Sequence, residues 1–294
     1  MARLYSKSSP WKFLALPLLV YLFVVLLPIA MTLLYSFTDW NITGQKNFIG
    51  IDNYARMFGD SNFLLALKNN LLYVLIDVIA EVIFGLILAI FLTEINRKLS
   101  NVIKIVYFIP CVISSIAVAE TVKRMVSMVP QGVINAFLEL VGLGAFQQAF
   151  AASPTWAIYV VAIADVYKWS GLYMVIYYGA LMSVPQDAIE AAKIDGANTV
   201  QAYLHVRLPM IRNIIVTTVI LITTGSLKVF EMPFVLTNGG PGYSSQVLST
   251  YMYLKSFSGL EFGYGSAISI FQALLCLAAM VLLKFVIFRK DNTE

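Results

Sequence analysis

The chain has 294 residues, of which 60% are hydrophobic and only 12% are charged, and its net charge is +4. Because soluble globular chains carry about 25% charged residues, this composition argues against a soluble enzyme, a disordered chain and a nucleic-acid-binding protein. Cys111 and Cys276 both lie in apolar runs, which excludes a disulfide framework, and His205 is the only histidine, which excludes a histidine-rich metal site. The composition indicates an integral membrane protein.

Six segments are apolar over the roughly 20 residues that a helix needs to cross a membrane. These predicted spans are 13–38, 69–93, 104–125, 154–182, 209–236 and 262–285. The first span is longer than the apolar part of a secretion signal and no clear cleavage site follows it, so we predict a retained helix. We therefore expect an all-α membrane protein in which residues 1–294 form a single transmembrane domain.

The distribution of Lys and Arg predicts the orientation of the spans. Twelve lie on one side, namely Arg3, Lys7, Lys12, Arg97, Lys98, Lys104, Lys193, Arg207, Arg212, Lys284, Arg289 and Lys290. Six lie on the other, namely Lys46, Arg56, Lys68, Lys123, Arg124 and Lys255. Because Lys and Arg accumulate in cytoplasmic connections, both termini are predicted to be cytoplasmic, as are the connections after the second and fourth spans.

The connection after the third span contains a short amphipathic segment, Val133–Val141. Its apolar residues recur at helical spacing. We expect this segment to form a helix that lies along the outer membrane surface.

The connection between the fourth and fifth spans, residues 183–209, reads SVPQDAIEAAKIDGANTVQAYLHVRLP. Ser183 followed by Gln186 matches a capping box at the start of a helix. Gly196 predicts the end of that helix, because glycine readily adopts the left-handed conformation found there. Thr199 is a candidate cap for a second short helix. The pattern therefore predicts a helix, a break and a helix.

Small side chains occupy the middle of this connection, at Ala191, Ala192 and Ala197. They would let the backbone of another protein approach closely, which favours a helix that inserts into a groove of a partner. The alternative is an ordinary interfacial helix that rests on the lipid headgroups.

Two groups of residues carry a resemblance to a known family. The first group is Glu190-Ala191-Ala192, Asp195-Gly196-Ala197, Val206, Leu208 and Pro209. It resembles the EAA loop of ABC-importer permease subunits, with Val206 at a position where Ile is commoner. The second group is Thr237-Asn238-Gly239-Gly240-Pro241 with Tyr251, Tyr253 and Phe257. It is similar to the Thr-x-Gly-Gly-Pro segment of the carbohydrate-importing branch, and the chain most closely resembles permeases of the maltose or multiple-sugar type.

The resemblance implies the type I ABC importer permease fold in the cell membrane. In that family two permease subunits form the pore, a cytoplasmic ATPase dimer grips their EAA loops, and an extracytoplasmic binding protein delivers the sugar. The chain has no phosphate-binding G-x-x-x-x-G-K-[ST] motif, so ATP and Mg are expected on the ATPase partner. We expect a transport subunit with no catalytic residue, metal or cofactor of its own, in contact with lipid and not with nucleic acid.

The resemblance also assigns residues to two contact regions. Those expected to couple to the ATPase are Glu190, Ala191, Ala192, Asp195, Gly196, Leu208 and Pro209. Those expected near the binding protein or an outer gate are Thr237, Gly239, Gly240 and Pro241.

Polar and aromatic residues of the fourth and fifth spans are candidates for the substrate path, because a neutral sugar presents hydroxyl groups around an apolar ring face. These candidates are Asp165, Tyr167, Trp169, Gly171, Tyr173, Thr224, Ser226 and Phe230. The alternative is that they pack between helices or anchor them at the interface. The intramembrane ionisable residues Asp77, Glu81, Lys228 and Glu231 either satisfy one another or face the translocation cavity.

The main alternative function is an ion-gradient-driven secondary transporter with Asp77, Glu81 or Asp165 as its proton or cation site. Such proteins are typically built from inverted repeats, which the sequence does not display, and the EAA-like loop would be unexplained. A membrane-embedded enzyme is a weaker alternative, because the sequence supplies neither a nucleophile with a base nor a set of metal ligands.

Overall fold

The computed structural model describes residues 9–42, 44 and 46–288, with side chains from residue 14 to residue 285. Over these residues the regular structure is helical, apart from one isolated antiparallel bridge between Thr38 and Phe48. The described chain forms two compact units, one from the residues up to Asp60 with Met252–Ala273, the other from Ser61–Tyr251 with the residues from Leu274 onward. Four cations of the orientation count, Arg3, Lys7, Arg289 and Lys290, lie outside the described residues.

The first unit begins with one long apolar helix. It consists of α1 (Ser9–Tyr21), a π-helical segment (Leu22–Leu26) and α2 (Leu27–Tyr35). None of the most apolar window within Leu14–Tyr35 is buried. A helix that is apolar on every side and covered by none of its own chain is suited to lipid or to a partner helix.

The same unit contains α3 (Asp52–Gly59) and the start of α15 (Phe262–Phe288). Arg56 forms an ion pair with Glu261, and the Tyr264 hydroxyl donates to Asp60 at 2.9 Å. Polar contacts therefore fix the first turn of α15 within this unit.

The second unit is built around α4 (Ser61–Glu94) and α8 (Ala157–Met182), which pack along much of their length. Next to α8 lies α5 (Arg97–Val112). A Cβ at Gly171 would lie 1.9 Å from the backbone oxygen of Tyr107, so only glycine allows this close approach of α5 and α8.

The predicted span 104–125 is divided between α5 and α6 (Ser115–Met125), which meet at an angle of 100°. The helix breaks because Ile113 and Ser114 adopt extended conformations. Lys168 donates to the oxygens of Cys111 and Ile113 at 3.3 and 2.8 Å, which satisfies carbonyl groups that the break releases. The amphipathic segment predicted over Val133–Val141 forms α7 (Val133–Leu140).

The predicted fifth span is also divided. The connection after α8 contains α9 (Gln186–Ile194), α10 (Thr199–Ala202), a π-helical segment (Tyr203–Arg207) and α11 (Leu208–Met210). There follow α12 (Arg212–Leu227), α13 (Glu231–Thr237) and α14 (Leu248–Tyr253), the last running into a π-helical segment, Leu254–Ser258. The stretch Thr199–Met210, which comprises α10, the π-helical segment and α11, meets α12 at 68°.

Four helices of the described chain are long and apolar enough to cross a membrane, and the number rises to six if each bent pair is one span. The four are Leu14–Tyr35, Ser61–Glu94, Ala157–Met182 and Phe262–Phe285. The bent pairs are α5 with α6, and α10 and α11 with α12.

Candidate functional site

The start of α9 differs from its prediction. The Ser183 hydroxyl donates to the oxygen of Ala180 at 2.7 Å, so it belongs to the end of α8 and does not cap α9. Pro185 is the N-cap residue, without a side-chain cap. The capping box predicted for Ser183 and Gln186 is therefore wrong, because α8 continues up to the serine that would have formed it.

The end of α9 agrees with the prediction. Gly196 has a φ of +87°, in the left-handed region. Its N–H donates to the oxygen of Lys193 at 3.1 Å, and that of Ala197 donates to the oxygen of Ala192 at 2.9 Å. These two bonds form a Schellman motif with glycine at its left-handed position. The predicted helix stop at Gly196 is confirmed.

The second short helix is capped by Asn198, and the prediction of Thr199 is wrong. The Asn198 side chain accepts from the N–H of Gln201 at 2.9 Å, and the Gln201 side chain accepts from the N–H of Asn198 at 2.8 Å. This reciprocal capping box fixes the sharp turn between α9 and α10. A small open cavity of about 370 Å³ lies in the turn. Its lining comprises Ala192, Asp195, Gly196, Ala197, Gln201, His205 and Val206.

Most of the residues expected to couple to an ATPase are exposed in this chain. Glu190, Ala191, Asp195, Gly196 and Pro209 are exposed, whereas Ala192 and Leu208 are half-buried. On the inner side of the helix, Ile189 is only 4% exposed, while the neighbouring Ile194 is 86% exposed. The turn thus combines a buried anchor with an uncovered surface of small, acidic and apolar groups.

A polar network that sequence reasoning missed joins this connection to the end of α4. The Tyr203 hydroxyl donates to Glu94 at 2.5 Å and accepts a bond from Arg207. Arg207 and Glu94 also form an ion pair at 3.7 Å. Because Tyr203 is buried, the network holds the base of the turn in a fixed position. Its only sequence signal is one Tyr and one Arg four residues apart.

A second candidate site is a cavity of about 470 Å³ among α4, α6, α8, α12 and α13. The lining comprises Glu81, Ser115, Asp165, Trp169, Tyr173, Ile222, Gly225, Ser226, Lys228, Val229, Phe230, Glu231 and Met232. Five of the eight predicted substrate-path residues meet here, namely Asp165, Trp169, Tyr173, Ser226 and Phe230. The break between α12 and α13 at 228–230 supplies part of the wall.

The other three predicted substrate-path residues do not line this cavity. Tyr167 is 57% exposed and borders a separate apolar cavity beside α5 and α6. Gly171 serves the close contact with α5. The Thr224 hydroxyl donates to backbone oxygens one turn earlier in its own helix, Ile220 and Leu221.

Three carboxyl groups lie together at one end of the cavity. Asp77, Glu81 and Asp165 offer oxygen atoms that all lie within 4.8 Å of one another, close enough to share a cation. All three are buried, at 0%, 2% and 8% exposure. Asp77 and Glu81 share a face of α4, as their spacing predicts. Ser226 donates to Asp77 Oδ2 at 2.7 Å. These residues are called the acidic cluster below.

The segment 237–248 after α13 forms a compact, internally bonded loop. Its backbone turns at Asn238, Gly239, Gly242 and Tyr243, all with positive φ. The Ser245 hydroxyl oxygen lies 2.7 Å from both the Thr237 hydroxyl oxygen and the backbone oxygen of Gly240, within hydrogen-bond distance of each. The Thr-Asn-Gly-Gly-Pro sequence therefore forms a defined turn.

Two asparagines of α4 are hydrogen-bonded to this loop. The side-chain N–H groups of Asn69 donate to the oxygens of Tyr243, Ser244 and Gln246 at 3.3, 3.0 and 3.1 Å. Asn70 accepts from the N–H of Leu248 at 3.2 Å. A third cavity of about 690 Å³ is lined by Thr237, Asn238, Gly240 and Pro241 together with residues of the α6–α7 connection.

Comparison of the chain with known proteins identifies its family. Residues 81–292 match the model of binding-protein-dependent transport system inner membrane components. A probable ABC transporter permease, YurN of Bacillus subtilis, is 34% identical over 95% of this chain and 96% of its own length. The trehalose/maltose permease MalF of Thermococcus litoralis is 31% identical over 98% and 97%. The lactose permease LacF of Rhizobium radiobacter is 30% identical over 96% and 94%.

The fold has a solved counterpart in a bacterial ABC transporter involved in the import of the acidic polysaccharide alginate. The two chains superpose with a TM-score of 0.84 at 23% identity, over 96% of each. The relatives are transport components rather than enzymes, and importers of this kind work with partner subunits. The resemblance drawn from the two motifs is thus confirmed, and the chain belongs to the binding-protein-dependent transport system inner membrane components, as a permease subunit of an ABC importer.

Proposed function

We propose that this permease imports a sugar or oligosaccharide and forms half of a translocation pore with a second permease subunit. The carbohydrate permeases among its relatives support this substrate class. The cavity supports it too, because it sets the aromatic faces of Trp169 and Tyr173 beside polar groups such as Ser226. In this proposal residues 1–294 form one transmembrane domain with six spans and cytoplasmic termini.

The α9 turn is proposed as the coupling element, which we define as residues 186–197. A cytoplasmic ATPase dimer, which binds ATP and Mg, would grip its exposed surface. The small side chain of Ala191 and the bare backbone of Gly196 permit close approach, while Glu190 and Asp195 offer charges for polar contacts. Leu208 and Pro209 would connect the element to α12. The observation that carries the proposal is the exposure of this surface on a turn whose base is fixed by buried Tyr203.

The loop after α13 is proposed to face the opposite side of the membrane. Thr237, Gly239, Gly240 and Pro241 would lie near a docked extracytoplasmic sugar-binding protein or near the outer gate. Since the loop is closed by its own hydrogen bonds, it would present a fixed surface to that partner.

Substituting Gly196 by Val tests the coupling element. No atom lies within 4 Å of a Cβ at this position, so the valine meets no neighbour in its own chain. The left-handed backbone is nevertheless strained for a β-branched residue, and the turn would move. We expect normal insertion and complex assembly but loss of transport-stimulated ATP hydrolysis, measured with the reconstituted complex.

Gly144→Val is the matched control, because Gly144 has an ordinary φ and also has space for a side chain. Wild-type ATPase stimulation and uptake by the Gly196→Val complex would contradict the coupling assignment. The alternative of an ion-gradient-driven transporter is not favoured, because the chain belongs to the ABC importer permeases. Uptake that collapses with the proton or sodium gradient and persists without ATP would support it.

A further inference from the structure

The acidic cluster contains one carboxyl oxygen that the described part of the protein leaves unsatisfied. Oδ1 of Asp77 is buried and has no hydrogen-bond partner among the described residues. The hydroxyl of Tyr73 is fully buried one helical turn before Asp77 and faces all three carboxyl groups. Since buried polar groups are almost always satisfied, the unpaired oxygen of Asp77 beside two further carboxyl groups indicates a missing donor.

The positive charges nearby do not supply that donor. Within the described part of the chain, no Lys or Arg forms an ion pair with a carboxyl group of the acidic cluster. Lys168 is the cation that interacts electrostatically with Asp165. Its ammonium group, however, donates to the oxygens of Cys111 and Ile113 and lies over the Trp169 ring. Lys228 shares the cavity wall with Glu231, so this pair adds no net charge.

The cavity connects these carboxyl groups to a surface suited to a sugar ring. Glu81 and Asp165 are at once members of the acidic cluster and part of the cavity wall. Trp169 and Tyr173 lie one and two turns after Asp165 on the same face of α8 and also line the cavity. A ligand ring on these aromatic faces would place its substituents within reach of the carboxyl groups.

We propose that the acidic cluster binds an ammonium group carried by the transported carbohydrate. The substrate class is then an amino sugar or an amine-bearing oligosaccharide in its protonated form, and acidic sugars are rejected. This inference rests on the proposed function, since it specifies the substrate of the same cavity. An ammonium group has three N–H donors and one positive charge, which match the unsatisfied oxygen of Asp77 and the excess of carboxyl groups over nearby cations.

Equilibrium binding to the purified full-length chain with its partner subunits tests the proposal. The probes are a glucosamine disaccharide and its N-acetylated form, at about pH 6, where amines are protonated. The two differ in charge and share the same sugar backbone. We expect the amine form to bind at least about tenfold more tightly, equivalent to about 1.4 kcal/mol.

Variants assign that preference to the cluster. Asp165→Asn and Glu81→Gln are each expected to reduce the preference to about twofold or less, since each removes a carboxyl group that the ammonium group faces. Glu120→Gln is the matched control, because Glu120 is half-exposed, paired with Lys123 at 3.6 Å and absent from the cavity wall. It should keep the full preference. If the cluster variants do not fold, the wild-type comparison still decides.

The alternative source of a cation is a free inorganic ion. Titration with sodium and calcium chloride, against choline chloride, separates the two sources. Tight binding of either ion that depends on Asp165, without any preference for the amine sugar, would overturn the proposal, and so would equal binding of the two disaccharides. Neither result bears on the proposed coupling to the ATPase, which the Gly196→Val experiment tests separately.

Discussion

The two connections that flank α12 and α13 each turn at a left-handed glycine, but one glycine is uncovered and the other is packed against a side chain. Each places a glycine in the left-handed region, Gly196 at +87° and Gly239 at +75°. A Cβ at Gly196 would meet nothing within 4 Å, whereas a Cβ at Gly239 would lie 1.3 Å from Oε1 of Gln246. The turn at Gly196 is therefore uncovered by the described residues, whereas the turn at Gly239 is packed against the Gln246 side chain.

The polar groups follow the same division. Besides its internal hydrogen bonds, the loop 237–248 is bonded to the distant helix α4 through Asn69 and Asn70. The turn that follows the coupling element is instead closed by bonds between near neighbours in sequence, through Asn198 and Gln201. The uncovered turn at Gly196 is thus the better candidate for a contact with a partner that moves. The packed turn at Gly239 is the better candidate for a rigid surface.

Matched alanine substitutions at the two glycines would show the largest difference. We expect Gly239→Ala to lower the free energy of unfolding by about 2–3 kcal/mol, because the methyl group must displace the buried Gln246 side chain and also strain the backbone. Gly196→Ala should cost only the strain, about 1 kcal/mol. Thermal unfolding in detergent measures both.

Equal melting temperatures for Gly239→Ala and Gly196→Ala would contradict the conclusion that the first turn is packed and the second is uncovered. Gln246→Ala in the Gly239→Ala background sharpens the test, since it removes the side chain that the methyl group meets. Partial recovery relative to Gln246→Ala alone would assign the extra cost to this overlap.

Asn69→Ala should give the second largest effect, a loss of about 2 kcal/mol in the free energy of unfolding, because three backbone oxygens each lose one hydrogen bond. Hydrogen exchange in 243–248 should rise in parallel, since the loop is released from α4. Asn101→Ala is the control, because Asn101 is exposed on α5. An unchanged melting temperature for Asn69→Ala would mean that the loop is held by its internal bonds alone.

The helices and the Gly196 turn could be predicted because their signals are local. Apolar runs of sufficient length fix where helices form, and glycine at the end of a short helix marks a left-handed turn. The break at Ile113 could not be predicted in this way, since its released carbonyl groups are satisfied by Lys168 from another helix. The caps failed for a related reason: Ser183 was available as a cap only if α8 ended earlier than it does.

The cavity was predictable in part. Asp165, Trp169 and Tyr173 are four residues apart and share one face of α8, whereas Tyr167 and Gly171 lie between them on other faces. Helical periodicity alone could therefore have separated the residues that line the cavity from those that do not. Glu81 and Lys228 were recognisable as intramembrane charges, but their meeting at one cavity depends on how α4 packs against α8 and α12, which no local pattern encodes.

Ala191→Trp adds bulk to the open surface and is expected to have a moderate effect on activity. Because Ala191 is exposed, the indole should leave the melting temperature unchanged. It should nevertheless reduce ATP-driven uptake by at least about tenfold, equivalent to about 1.4 kcal/mol of contact free energy, by blocking the approach of the ATPase.

Ala136→Trp on α7 is the matched control, an exposed alanine outside the coupling element. Normal uptake by Ala191→Trp would favour the alternative in which α9 simply rests on lipid headgroups. A lower melting temperature would instead show that the residue packs against its own chain.

The smallest effect is expected at the N-cap of α10, directly after the open turn at Gly196. Asn198→Ala removes the capping box of α10 and should cost about 1 kcal/mol of local stability, seen as faster hydrogen exchange of the amides of Gln201 and Ala202. Thr199→Ala, at the residue favoured by sequence alone, should leave that exchange unchanged, because the observed cap is Asn198. If Asn198→Ala alters exchange in α9 as well, the two short helices open as one unit and the coupling element extends to Ala202. If exchange in α9 is unaffected, the Schellman motif at Gly196 holds that helix independently, and only α10 depends on the cap.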